Sequence, residues 1–154
     1  MSKLSKYFTL EEATFSQTAT RFCIANEPSI QQLQNIESAA LQLDEVRDLL
    51  RAPVIPSSWL RSLQLNAKVG GAFDSAHLTG AAIDFGAPRF GTSLDICNYI
   101  LRSSVKYDQL IQEGNWVHIS FDSRYRMIPL TAHFSVDPQT GKSRVTYTEG
   151  IGVN

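Results

Sequence analysis

Ser75-Ala76-His77-Leu78-Thr79-Gly80-Ala81-Ala82-Ile83-Asp84 sets a histidine and an aspartate seven residues apart, with one glycine and two alanines between them. Each of the two side chains offers a strong ligand atom to a divalent cation. Zinc favours imidazole nitrogen and carboxylate oxygen, and a catalytic zinc keeps three protein ligands and one open position. Asn115-Trp116-Val117-His118-Ile119-Ser120-Phe121 reads as a strand, and its His118 supplies the third ligand. Two histidines and a carboxylate form a hydrolytic set. On spacing alone, His77 and Asp84 also suit a hydrogen-bonded surface pair. The small residues between them strengthen the metal reading, because they let backbone approach backbone.

Working outward, Ala81 to Phe85 is an apolar strand that carries Asp84. An acid in so apolar a run needs a cation, an arginine or backbone amides beside it, since an unpaired buried charge is costly. Upstream, Gly70-Gly71 marks a tight loop, and Trp59 to Asn66 reads as a turn into a short helix. Pro53 to Ser58 is a short strand whose prolines suit a sheet edge. Before it, Pro28 and Ser29 launch the longest helix, about 29 to 51. Its inner stripe is Ile30, Leu33, Ile36, Ala40, Leu43, Val46, Leu49 and Leu50 at helical spacing. Thr9 and Glu12 form a capping box stapled by Phe8. A second short helix starts at Ser16, and 21 to 27 reads as loop.

Downstream, a helix from about Gly91 to Ser103 turns Ile96, Tyr99 and Ile100 inward. Tyr107 to Glu113 alternates as a strand. Gly114-Asn115 fits a two-residue turn, and Trp116 to Phe121 returns antiparallel, which brings Glu113 near His118. The tail from Phe134 to Thr148 looks like a hairpin around Asp137-Pro138-Gln139-Thr140-Gly141. His133, just before it, has little case for a metal role.

The 154 residues are 43% hydrophobic and 19% charged, which is globular and sized for one domain with a proper core. With a net charge of −1 and no basic cluster, nothing suggests a nucleic-acid partner. Cys23 and Cys97 read as two buried thiols rather than a disulfide. No apolar run reaches membrane-spanning length. The N-terminus lacks an apolar h-region, so no signal peptide and synthesis in a cytoplasm are expected. The expected fold is α+β: a single domain, 1–154, with a small antiparallel sheet and helices packed around it. Its core spans about 7–122, and 123–154 is a C-terminal extension.

Four motifs carry a family resemblance. They are Phe8-Thr-Leu-Glu-Glu-Ala-Thr-Phe-Ser16; Arg61-Ser62-x3-Asn66-x3-Gly70-Gly71; Ser75-x-His77-x2-Gly80-x-Ala82-x-Asp84; and Asp108-Gln109-Leu110-Ile111-x-Glu113 followed by Trp116-Val117-His118. In this order the chain resembles, from about Tyr7 to Asp122, the zinc D-Ala-D-Ala carboxypeptidase and L-alanyl-D-glutamate endopeptidase family of peptidoglycan peptidases, in its compact phage-type branch. The resemblance implies a Hedgehog/D,D-peptidase-like fold and one zinc ion held by His77, Asp84 and His118. It implies that an acid just ahead of His118 is the general base, and that Arg61 holds substrate and steadies charge on the scissile carbonyl. Ser75 belongs to the site's inner shells and is a substrate contact. Trp59 either packs or lines the cleft as a second substrate contact, while Trp116 packs beneath it.

In many members the acid stands three residues before the last histidine. Here that residue is Asn115, whose amide cannot take a proton from water. Glu113 is the base instead, with Asp108 in reserve. The expected activity is a zinc peptidase acting on a peptidoglycan stem or cross-link, as a monomer, in a phage lysin or a virion-associated wall hydrolase. The alternative is a non-catalytic zinc-bearing wall-binding or virion module on the same scaffold.

Overall fold

The computed structural model describes residues 2–153. Two short helices open the chain, α1 (Leu10–Thr14) and α2 (Gln17–Arg21). Thr9 caps α1 through the expected box: its hydroxyl accepts from Glu12 N, and the Glu12 carboxylate accepts from Thr9 N. Such a cap contributes about 1 kcal/mol. Ser16 caps α2. The long helix α3 (Ile30–Leu50) begins at Ser29, again with a capping box, and ends on Arg51 in the left-handed region. Ile36, Ala39, Ala40, Leu43, Val46 and Leu50 form its buried stripe. Ile30 departs from that stripe at 81% exposure, because the first turn of α3 runs past the core. Helix α4 (Leu63–Lys68) and a 3-10 helix (Ala76–Leu78) flank the Gly70-Gly71 loop, and α5 (Ser93–Leu101) follows. In α5, Ile96, Cys97 and Ile100 are buried while Tyr99 lies outward against Phe90. No helix among the described residues is long and apolar enough to cross a membrane.

Six strands form one sheet: β1 (Ile55–Ser58), β2 (Ala82–Gly86), β3 (Gln109–Glu113), β4 (Trp116–Ser120), β5 (Ile128–Val136) and β6 (Ser143–Glu149), in the order β1-β2-β4-β3-β5-β6. The proline-bearing β1 is an edge strand, as its composition requires. The sheet is mixed and not purely antiparallel, because β3 and β5 pair parallel. The reason is local. β4 ends beside the start of β3, at the Gln109–Ser120 pair. The chain then crosses that end of β3 through 121–127, tied by Met127 N to Tyr107 O at 3.1 Å and Ile128 N to Asp108 O at 2.9 Å. A strand leaving from there on the free edge of β3 must run in the same direction.

Period-two alternation sorts the central strands. Ile83 and Phe85 of β2, Leu110 of β3, and Val117 and Ile119 of β4 join α3 and α5 in one core. Each such buried side chain contributes about 1.5–3 kcal/mol. The opposite face carries Asp84, Ile111, Glu113 and His118, with Asp84 directly across from His118 and His118 directly across from Ile111. The β5–β6 hairpin turns at 137–142 as expected and extends this second face outward. Of the two thiols, Cys97 is buried but Cys23 is exposed on a left-handed turn residue; both are free.

Candidate metal centre

Asp84 and His118 face one another because β2 and β4 are in register at that pair. His77 arrives from the 3-10 helix, whose N-cap Ser75 accepts from His77 N. Three devices hold this segment against the sheet. Arg61 N donates to His77 O at 3.0 Å. Gln32 and Asn35 of α3 donate their amides to Leu78 O at 2.8 Å and Thr79 O at 3.0 Å. Gly80, at φ +84°, lies so close to α3 that a Cβ there would stand 2.7 Å from Ile36 Cγ1. The close backbone approach expected from the small residues is therefore present, and α3 is what they approach.

His77 Nε2 lies 3.1 Å and His118 Nδ1 2.9 Å from Asp84 Oδ1. The three ligand atoms all lie within 4.8 Å of one another, and all three residues are buried. The other nitrogen of His77, Nδ1, donates to Trp59 O at 2.7 Å. That bond settles the tautomer, because a neutral imidazole has one N–H. Burial pulls the His77 pKa down, against the raising effect of Asp84. With Nδ1 committed to Trp59, Nε2 is the nitrogen His77 turns to the cluster. Nε2 and Asp84 Oδ1, 3.1 Å apart, can share a proton or a cation. A cation satisfies both, and the Trp59 carbonyl is the outer partner that metal-bound histidines commonly use. The residues thus fit a zinc ion in ligand type, tautomer and burial. Burial raises the Asp84 pKa, but hydrogen bonds from His118 and His77 and their charges outweigh it, and the group sits well below the usual carboxylate range. His118 is raised: burial lowers it, and the hydrogen bond and charge of Asp84 prevail.

Arg61 reaches across this cluster. Its guanidinium lies 3.6 Å from Asp84 Oδ2 and donates to Ser58 Oγ at 3.3 Å and Asn66 Oδ1 at 3.4 Å. Asn66 in turn donates to Ala72 O, and Gly71 N donates to Asn66 O. Gly71 has no room for a side chain, since a Cβ would meet Asn66 Oδ1 at 2.1 Å and Arg61 Nη1 at 3.1 Å. The Arg-Asn-Gly-Gly pattern is therefore one device: a loop folded down on an arginine to aim it at Asp84. These groups line a cleft of about 770 Å³ that also holds Ser75 and Glu113.

Glu113 is half-buried on the cleft face, two residues along β3 from Ile111, which stands opposite His118. Burial pushes its pKa up, with Asp84 adding to the rise, against His118, Arg61 and the Trp116 side chain. Asp108, the reserve candidate, is engaged elsewhere. Its Oδ1 accepts from Arg126 N at 3.0 Å and Nε at 2.8 Å, and Oδ2 accepts from Nη2 at 2.8 Å. The Arg126 hydrogen bond holds its pKa down, so it is a poor proton acceptor. It fastens the 121–127 crossing to β3 instead. Asp108→Asn is expected to cost about 2 kcal/mol, the usual worth of hydrogen bonds to a charged group, and to lower Tm by about 4–8 °C in a chain this size. Because the folded pKa is depressed, this stabilisation is present above the ordinary carboxylate pKa and is lost as pH falls through the folded value. Thermal melts of Asp108→Asn against pH should show a flatter acid limb than the parent.

The structure decides the Trp59 alternative in favour of packing and corrects the Trp116 expectation. Trp59 is 1% exposed, so it cannot touch substrate; its indole donates to Gly80 O at 2.8 Å and its carbonyl orients His77. Trp116 does not lie beneath the cleft but is 37% exposed and packs on Phe134 of β5. His133 pairs with Thr148 Oγ1 across the hairpin, at 2.8 Å. Sequence reasoning missed Gln32 and Asn35, polar residues that look solvent-facing on a helix, and Tyr147, which lines the same cleft from β6.

No curated protein matches the chain. A family model described as Peptidase M15 matches residues 6–120, which covers every residue of the centre from Arg61 to His118. The chain belongs to the peptidase M15 family, a family of zinc metallopeptidases.

Proposed function

We propose that the protein is a zinc-dependent peptidase that hydrolyses peptide bonds in the stem or cross-link of bacterial peptidoglycan. The observation that carries this reading is the convergence of His77, Asp84 and His118, all buried, with their ligand atoms within 4.8 Å of one another and His77 Nδ1 tied to the Trp59 carbonyl. His77, Asp84 and His118 would hold the ion. Bound there, zinc supplies Lewis acidity, which makes water a stronger acid and a carbonyl a better electrophile.

The chain's own residues supply the rest. Glu113 accepts a proton from the attacking water, and its raised pKa makes it a better base than a solvent-exposed glutamate. The same proton is then delivered to the leaving nitrogen as the C–N bond breaks. Arg61, fixed by Ser58 and Asn66, places a permanent positive charge beside Asp84, where negative charge on the carbonyl oxygen is stabilised as it develops. Ser75 lines the cleft beside His77 and contacts the bound peptide.

The test is digestion of purified peptidoglycan with the zinc-loaded protein, followed by mass spectrometry of the released material. Free alanine identifies a D,D-carboxypeptidase, and opened stems or separated cross-links identify an endopeptidase. Treatment with a chelator should stop release and zinc should restore it. Full zinc occupancy with no release from any wall preparation would leave the non-catalytic binding module standing instead.

A further inference from the structure

Residues beyond 120 lie outside the family match, yet they build part of the cleft. The parallel register sets Leu130 of β5 beside Ile111, which is itself opposite His118. Continuing across the hairpin, Ala132 pairs with Tyr147 and Phe134 with Val145. Alternation therefore turns Leu130, Val145 and Tyr147 toward the face that carries His118 and Glu113, and all three line the cleft. The hairpin is anchored there by the Trp116–Phe134 contact, with ring centroids 6.2 Å apart, and by Gly152 N, just past β6, donating to Gln112 Oε1 of β3 at 3.2 Å.

Tyr147 and Val145 are 49% and 41% exposed, so each offers an open surface to the cleft. The Tyr147 phenol shares this cleft with Glu113 and Asp84, and burial raises the pKa of its hydroxyl. Among the described residues that hydroxyl has no hydrogen-bond partner, unlike those of Tyr7 and Tyr125. An uncommitted donor beside an apolar shelf suits one kind of ligand: a peptide backbone whose carbonyl takes the O–H and whose small side chain rests on the shelf.

We propose that the β5–β6 hairpin is the far wall of the substrate cleft, and that Tyr147 and Val145 are specificity-determining residues. The Tyr147 hydroxyl donates to a carbonyl of the bound peptide next to the scissile bond. Val145 and Leu130 form a shelf for an alanine-sized side chain. This inference rests on the peptidase reading, whose substrate supplies both features.

The experiment uses the full zinc-loaded chain and an alanine-containing stem peptide. Binding is measured by calorimetry in a Glu113→Gln background, and KM and kcat are measured in the otherwise native protein. Tyr147→Phe removes one oxygen and should weaken binding and raise KM about tenfold, as loss of one hydrogen bond does, with kcat nearly unchanged. Val145→Phe fills the shelf and should weaken binding of the alanyl peptide about tenfold or more. It should penalise the matching glycyl peptide far less. That selectivity is a readout that loss of structure cannot produce, and equal Tm values complete the comparison. If native protein binds and cleaves while both variants match it on both peptides, the hairpin proposal is overturned and the peptidase reading stands. If native protein with zinc neither binds nor cleaves any stem peptide, the peptidase reading fails and takes this inference with it.

Discussion

His77→Ala and His118→Ala should each abolish stoichiometric zinc binding, read by metal analysis of protein dialysed against trace zinc, and should lose peptidase activity with it. Three protein ligands are the minimum for a catalytic zinc. Changing even an outer partner of a ligand costs about 10–100-fold in affinity, so deletion of a ligand should cost more. The two variants should differ in stability without metal. His77→Ala leaves the buried Trp59 carbonyl without its donor, an orphaning that costs about 1–3 kcal/mol. His118→Ala removes a ring from between β2 and β3 but strands no backbone group; its Nδ1 partner, Asp84, keeps Arg61 at 3.6 Å. Both should nonetheless keep native far-UV circular dichroism, since the core lies on the other face of the sheet. Retention of one zinc per chain in both variants would remove this centre as the metal site.

Much of this arrangement was readable because two periodicities carry it. Alternation in Ala82 to Gly86 and Trp116 to Ser120 says which side chains share a face, and the Gly114-Asn115 turn fixes the β3–β4 register. Together these bring Asp84, His118 and Glu113 together without any knowledge of the remaining chain. Alternation does not say which free edge a later strand will join. The parallel β3–β5 pair follows from the 121–127 crossing, whose tethers are backbone bonds and an Asp108–Arg126 pair that composition does not announce. The helical stripe erred at Ile30 and Tyr99 for a related reason. Periodicity gives an apolar face, but the face is buried only where another element covers it. Trp59 shows the limit most clearly. From sequence its indole could equally line the cleft or pack, whereas it is buried and its backbone carbonyl is what serves the site.

Glu113→Gln should keep a full complement of zinc and lower kcat by about 10²–10⁴-fold, the range for removing a general acid–base group. The geometry argues for this glutamate even though Asn115 stands nearer His118 in the sequence. Asn115 occupies the β3–β4 turn. Glu113 pairs with Trp116, two residues along β4 from His118, and on a pleated sheet such diagonal neighbours share a face about 7–8 Å apart between backbones. A glutamate side chain spans that gap toward the cluster, and Glu113 and His118 line the same cleft. The amide preserves shape but cannot accept the proton, so KM should change far less than kcat. Asp108→Asn is the matched comparison: it removes the other acid of the motif, should lower Tm, and should leave kcat close to that of the parent. Near-normal turnover in Glu113→Gln, or a collapse of kcat in Asp108→Asn at full zinc occupancy, would move the proton acceptor to the other carboxylate and require the Asp108–Arg126 pair to open during the reaction.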